Sequence, residues 1–325
     1  MLDMHHIISD GVSLVVFEKE VAAWYRGENL PGLRIQYKDF SEWQNSPKGI
    51  EASKKQEDYW LKVFSRKVRR LDLPLDYPRD SSGSTFAGEV IRFEVDEKLT
   101  RGLKEMAIRE EVTSYMMLMA VYNILLSKYS GQEDIVVGTP VSGRTHPELN
   151  HIMGMFVNLL AMRNYPEGKK TFRQLLGEVK VNSLRAFDNQ DYQFELLLQA
   201  LHLDREVDRN PLLDTTFVVQ NMERSAVDLP GLKFIPYPFQ NETAKFEMVL
   251  EADEKEEKIN LALQYAAKLY KKETIETFCQ HYLEIIKAIL ANPEVKLMDI
   301  RLQLESHPAE TGETNLKTGK FEFDF

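Results

Sequence analysis

Residues 5 to 11 read His-His-Ile-Ile-Ser-Asp-Gly. Histidine titrates near neutral pH, so its ring can accept, hold or pass on a proton there. An acid four residues after the second histidine can fix a ring or anchor a loop. The glycine that follows permits a sharp turn or a close approach of backbone to a substrate. Two plainer readings stand beside the catalytic one. His6 and Asp10 would share one face of a helix, as a surface pair or as half of a metal site. Metal is disfavoured, because His146, His151, His202, His281 and His307 are scattered and the single Cys279 falls in a helical stretch. No Ser or Cys stands out as a covalent nucleophile.

The string His5-His6-Ile7-Ile8-Ser9-Asp10-Gly11 resembles the HHxxxDG signature of condensation domains of nonribosomal peptide synthetases. Further strings agree in order. Tyr37-Lys38-Asp39-Phe40-Ser41-Glu42-Trp43 is similar to the family's YxDFxxW segment. Gly138-Thr139-Pro140-Val141-Ser142-Gly143-Arg144 is followed by Gly154-Met155-Phe156-Val157-Asn158, which resembles its GxFVN block, with Arg163 closing it. Asp188 to Glu195 resembles its HQDxPFE block, with Asn189 and Gln193 in place of His and Pro. Asp208-Arg209-Asn210-Pro211-Leu212 resembles its RNPL element.

The resemblance implies an α/β, two-lobed, chloramphenicol-acetyltransferase-like fold with the site between the lobes. Only four residues precede the histidine pair, so the first lobe is expected to be incomplete. Residues 1–79 would be the end of that lobe, 80–85 a linker, 86–304 the second lobe, and 305–325 a tail toward a following module. The implied reaction joins a donor acyl thioester to the amine of an acceptor aminoacyl thioester. His6 would face that amine and His5 support the loop. Asp10 would pair with an arginine, for which Arg144 is the best match. Gly11 would keep space open beside a helix start, whose N–H groups could face an oxyanion. Asn158 is a candidate to line the site.

Both substrates would arrive on 4'-phosphopantetheine arms of upstream and downstream peptidyl carrier domains, next to an adenylation domain. The chain itself is expected to bind no cofactor and no metal. Gly11-Val12-Ser13-Leu14 after the acid favours condensation over epimerization, and the intact histidine pair disfavours heterocyclization. The Ile-Ile-Ser-Asp-Gly-Val-Ser form resembles domains that join two L-residues. An acyltransferase acting on a free small molecule, and an inactive remnant that only binds neighbouring domains, are the other readings.

Composition fits. The 325 residues carry 51 acidic and 41 basic side chains, a net charge of −10, which disfavours a nucleic-acid or anionic-membrane partner. One cysteine excludes an internal disulfide and suits the cytosol. No apolar run reaches membrane-spanning length and no signal peptide is expected.

Apolar spacing predicts helices over 12–25, 51–64, 97–110, 113–129, 171–187, 193–202 and 272–290. It predicts strands over 86–95, 135–137, 156–163, 214–220, 232–237, 246–253 and 258–266. Gly138-Thr139-Pro140 reads as a turn, and Leu71 to Arg79, with Pro74 and Pro78, as an extended connector.

Overall fold

Cap chemistry sets most of the helix starts in the computed structural model, which describes residues 4–79, 87–203, 209–220, 229, 231–232 and 243–302. Helix α1 (Gly11–Tyr25) starts at Asp10, α4 (Glu97–Arg109) at Asp96 and α5 (Ser114–Ser130) at Thr113. In each, the side-chain oxygen accepts an N–H of the first turn. Helix α3 (Pro47–Val63) starts at Ser46 with Pro47 in its first turn, four residues ahead of the predicted Glu51. Helix α6 (Phe172–Asp188) starts in a reciprocal cap of Thr171 and Gln174. Helix α2 (Tyr37–Gln44) was not anticipated. It is too short for apolar periodicity to reveal, and Asp39 holds its start by accepting the Gln36 N–H at 2.7 Å. Helices α7 (Phe194–Ala200) and α8 (Lys272–Ala291) complete the set among the described residues.

Among the described residues, six strands form one mixed sheet in the order β1-β6-β5-β4-β2-β3. They are β1 (Gly88–Val95), β2 (Ile135–Val141), β3 (Asn158–Asn164), β4 (Thr215–Gln220), β5 (Met248–Glu254) and β6 (Ile259–Ala266). Strands β2, β4 and β5 are parallel, and the other pairings are antiparallel. Strand β2 runs straight through Gly138-Thr139-Pro140, correcting the expected turn. Pairing of β2 with β4 falls at Gly138 and Thr216, so Pro140 lies beyond it and its missing N–H costs no ladder bond there. Gly138 is needed for close approach, since a Cβ there would meet Thr216 Cγ2 at 2.8 Å. The strand expected at 232–237 lies almost wholly outside the described residues, as do the expected linker 80–85 and tail 305–325.

Every residue of α5 from Met116 to Leu126 is buried, so this helix is the centre of the core. Phe217 of β4 meets the α5 rings of Tyr115 and Tyr122, with centroids 5.5 and 6.1 Å apart. Alternation along the strands then puts Phe217, Leu250 and Leu263 on the helix-covered face and Val218, Glu251 and Ala262 on the other.

The proline-containing connector after α3 is extended, as expected, and tied at both ends. Arg163 of β3 donates to the Val63 and Arg66 carbonyls at 2.9 and 3.0 Å and grips Asp134 through two bonds. Asp214 accepts the Leu71 N–H at 3.1 Å and the guanidinium of Arg209, which also donates to the Leu71 carbonyl at 2.8 Å. Further along, Asp76 accepts the Lys271 N–H and the Thr274 hydroxyl.

Trp60 of α3 is buried and donates its indole N–H to the Asn189 carbonyl at 2.9 Å, joining α3 to the loop after α6. Trp60→Ala is expected to cost about 3–5 kcal/mol, seen as a lower denaturation midpoint in urea; a loss below about 1 kcal/mol would show that α3 is not integral to the fold.

Candidate active site

The histidine pair sits in a short 3-10 turn, His6–Ile8, directly before α1. His6 Nδ1 lies 2.7 Å from the Ser9 carbonyl oxygen. A carbonyl oxygen can only accept, so in the neutral ring Nδ1 carries the proton. The lone pair of Nε2 is therefore left to meet a donor, and no other hydrogen bond engages this half-buried ring among the described residues. His5 differs. It is exposed, and its Nδ1 accepts the Ile7 N–H at 3.1 Å, capping the turn that carries His6.

Asp10 is occupied on both oxygens. Its Oδ1 accepts the Ser13 N–H at 2.7 Å and an Arg144 Nη2 proton at 2.8 Å, with the Ser13 hydroxyl also at 2.7 Å. Its Oδ2 accepts the Phe156 N–H at 3.1 Å. The Asp10 and Arg144 side chains are 0% and 1% exposed. Arg144 also donates to the carbonyls of Leu149 and Ile152 and stacks on the Phe156 ring at 4.1 Å. These donors pair the buried carboxylate and hold it in place. Gly11 is the first residue of α1.

Ser13 was not singled out from sequence, yet it is the hub of this interlock. Its Oγ accepts the Gly154 N–H and an Arg144 proton, both at 3.0 Å, and lies within donating reach of Asp10 and of the Gly154 carbonyl. Tyr37 and Phe40 of α2 complete the seat under Arg144. Their rings lie 4.9 Å from Phe156, and the Tyr37 hydroxyl donates to the Met155 carbonyl at 2.8 Å. Two glycines make room. A Cβ at Gly154 would meet the Tyr37 ring at 2.1 Å, and one at Gly143, where φ is +63°, would meet the Phe156 carbonyl at 1.9 Å. The sequence marked Tyr37 and Phe40 through the YxDFxxW-like segment and Gly154 and Phe156 through the GxFVN-like block, without showing that these segments meet.

Asn158 is committed elsewhere. Its amide donates to the Gln190 and Tyr192 carbonyls at 2.8 Å each and accepts the Phe194 N–H at 3.1 Å, clamping the loop between α6 and α7. Gln56 of α3 grips the same loop through the Asp191 and Tyr192 N–H groups. Asp191 in turn accepts the Thr145 hydroxyl at 3.1 Å, beside Arg144. A separate cleft of about 330 Å³ lies at the β3 edge between Tyr59, Arg66, Arg163 and Tyr165, and shares no lining residue with this site. Among the described residues there is no group of three or more His, Cys, Asp or Glu that could hold a metal, and no helix long and apolar enough to cross a membrane.

The family model of the condensation domain matches residues 1–310. The chain belongs to the condensation domain family. It is 51% identical to gramicidin S synthase 2 of Brevibacillus brevis over 307 residues, 94% of this chain and 7% of that one. It is 47% identical to tyrocidine synthase 3 of Brevibacillus parabrevis, over 94% of this chain and 5% of that one. The chain thus spans under a tenth of the length of these two relatives. Among solved structures, a four-domain nonribosomal peptide synthetase bound to AMP and glycine superposes with a TM-score of 0.83 at 21% identity, covering 93% of this chain and 24% of that one. The X-domain from teicoplanin biosynthesis superposes with a TM-score of 0.83 at 21% identity, over 92% of this chain and 71% of that one. These likenesses establish the condensation-domain fold.

Because Asp10 is buried and paired while His6 is half-exposed, the two should respond differently to truncation. Asp10→Ala is expected to lose about 3–5 kcal/mol by stranding Arg144, and His6→Ala less than about 1 kcal/mol. Chemical denaturation of the two variants measures this; equal losses would remove the distinction.

Proposed function

We propose that this condensation domain forms an amide bond between a donor acyl or peptidyl thioester and the amine of an acceptor aminoacyl thioester, each tethered to a carrier domain. The observation that carries the reading is the 2.7 Å contact of His6 Nδ1 with the Ser9 carbonyl oxygen. The Ser9 carbonyl holds the Nδ1 proton, which leaves the Nε2 lone pair to face the amine.

An α-amino group titrates near 7.7–8.0, so a useful fraction is neutral at working pH, and the thioester is already activated. The amine nitrogen attacks the thioester carbon. The C–N bond forms, the C–S bond breaks, and the donor arm departs as a thiolate. His6 Nε2 accepts a hydrogen bond from the attacking amine, takes the proton that the new bond makes acidic, and returns it to the departing sulfur. Asp10 and Arg144 hold the helix start and the turn that carry His6, and His5 caps that turn. The 4'-phosphopantetheine arms belong to carrier domains upstream and downstream, in a synthetase that also holds an adenylation domain. The Ile7-Ile8-Ser9-Asp10-Gly11-Val12-Ser13 string supports two L-residues as the partners joined.

The surface around the site supports further polypeptide of the first lobe beyond these residues. Ile7, Ile8, Tyr25 and Trp24 are exposed, Trp24 to 75%, and α1 buries only Ser13, Val16 and Ala22. An apolar helix face of this kind is normally covered. We therefore assign residues 1–79 to the closing part of a first lobe and 86–304 to a second, with the substrates meeting between them.

Condensation is to be assayed with donor and acceptor loaded on carrier proteins, using this chain and a longer synthetase fragment that contains it. Product is expected from the longer form, and His6→Ala in that form should cut the rate at least about 100-fold while its melting temperature holds. Full activity of a folded His6→Ala variant would sink the assignment. Carrier binding without product from either form would favour a scaffold, and product from a free acyl donor alone would favour a small-molecule acyltransferase.

A further inference from the structure

The cleft at the β3 edge of the sheet has no part in the site around His6, and its walls are not neutral. It lies between α3, the last residues of β3 and α6, and encloses about 330 Å³, at the lower end of the range for small-molecule sites. Ala161, Met162 and Ala186, all buried, give it an apolar floor, with Trp60 and Val63 of α3 beside them.

Four donor groups line the same cleft without an acceptor. Lys62 and Arg66 are exposed, and neither side chain makes an ion pair or hydrogen bond among the described residues. Tyr59 and Tyr165 are half-buried, and neither hydroxyl makes a hydrogen bond among the described residues. Burial pushes the Tyr59 phenol up to about 12, with Arg185 pulling against it and Asp188 adding to it. Burial raises the Tyr165 phenol too, against the pull of Arg163 and Arg66. Both phenols therefore keep their protons at neutral pH and can donate them.

The third cation, Arg163, is spent. It grips Asp134, which cancels that carboxylate, and donates to the Val63 and Arg66 carbonyls. Those bonds bear on the cleft. The last carbonyls of a helix repel an anion. Here Arg163 covers the Val63 carbonyl, and the Ser65 hydroxyl donates to the Lys62 carbonyl at 2.9 Å. No acidic side chain is among the described residues that line the cleft.

We propose that this cleft binds a phosphate monoester with a small apolar body. Such a group carries a charge of about −1.5 to −2 at neutral pH and three strong acceptor oxygens. Lys62 and Arg66 match the charge, the guanidinium can pair with two oxygens at once, and the phenols supply two further donors. The buried floor takes the apolar body. A carboxylate, with one charge and two oxygens, uses fewer of these groups. An extended peptide finds little strand edge here. Asn182 donates to the Arg163 carbonyl at 3.3 Å, and Asn158 holds the loop at 190–194 against the start of β3. The inference is independent of the proposed reaction, since the cleft shares no lining residue with the histidine site.

The probes are phenyl phosphate, benzoate and inorganic phosphate, each titrated calorimetrically into the whole chain. Phenyl phosphate is expected to bind with a Kd below about 1 mM. It should bind about tenfold tighter than benzoate, which lacks the second charge, and about tenfold tighter than inorganic phosphate, which lacks the apolar body. Arg66→Gln and Lys62→Gln should each weaken phenyl phosphate about tenfold, and Tyr165→Phe about threefold. Lys67→Gln, at an exposed neighbour outside the cleft, should leave the affinity unchanged. Arg66, Lys62 and Lys67 are exposed, so these variants are expected to keep the wild-type melting temperature. Absence of saturable binding, equal affinity for phenyl and inorganic phosphate, or an affinity that Arg66→Gln and Lys62→Gln leave unchanged overturns the proposal. An equal loss in Lys67→Gln would reduce the effect to general surface charge and overturn it as well. Benzoate binding as tightly as phenyl phosphate overturns the assignment to phosphate.

Discussion

A carboxylate and a guanidinium with almost no exposed side-chain surface meet at 2.8 Å, and everything around the histidine pair depends on that contact. Neither group can stay buried alone, because the desolvation of an unpaired charge costs several kcal/mol. The pairing therefore forces Asp10, at the start of α1, and Arg144, beyond the end of β2, into one place. Hydrogen bonds from Ser13, Phe156 and Arg144 fill the Asp10 oxygens, and the Leu149 and Ile152 carbonyls take up further guanidinium protons. A charge pair of this sort contributes position more than net stability. It sets where the turn carrying His6 sits, and no hydrogen bond engages His6 Nε2 among the described residues.

The separate strings of the sequence are, in three dimensions, one connected structure. Tyr37 and Phe40 support Phe156, which supports Arg144. Asn158 and Gln56 clamp the loop at 190–194, and Asp191 of that loop reaches Thr145. Arg209 and Asp214 tie the connector to the foot of the sheet. Most of these residues touch no reacting atom. They hold short irregular segments whose backbone groups have no helix or sheet partner, and polar side chains supply the missing bonds.

The two faces of the sheet are unlike. One is sealed by α5 and its neighbours and is built from aromatic and branched side chains. The other carries Glu251, Arg92 and a polar fringe near the strand ends. The apolar surface of α1 and of the turn before it, by contrast, is exposed. An exposed apolar surface of this kind suits a site completed by more polypeptide.

Local chemistry was legible in the residues themselves. Most helix spans, the long apolar run of α5 and the alternating strands depend on neighbours within a turn or two. The seven-residue histidine string is local as well, and Arg144 was found only through its resemblance to a family pattern. Tertiary structure decided the rest. Ser13 became a hub through groups 131 and 141 residues away, and Tyr37 through a carbonyl 118 residues away. Gly138-Thr139-Pro140 reads as a turn on its own but is strand because Leu159, Leu160 and Ala161 of β3 lie alongside. The face to which Glu251 points could not be read from alternation alone, since alternation names two faces without saying which one the helices cover. Sequence separation is the physical reason: a contact over a hundred residues leaves no periodic trace, and only the folded chain brings its two halves together.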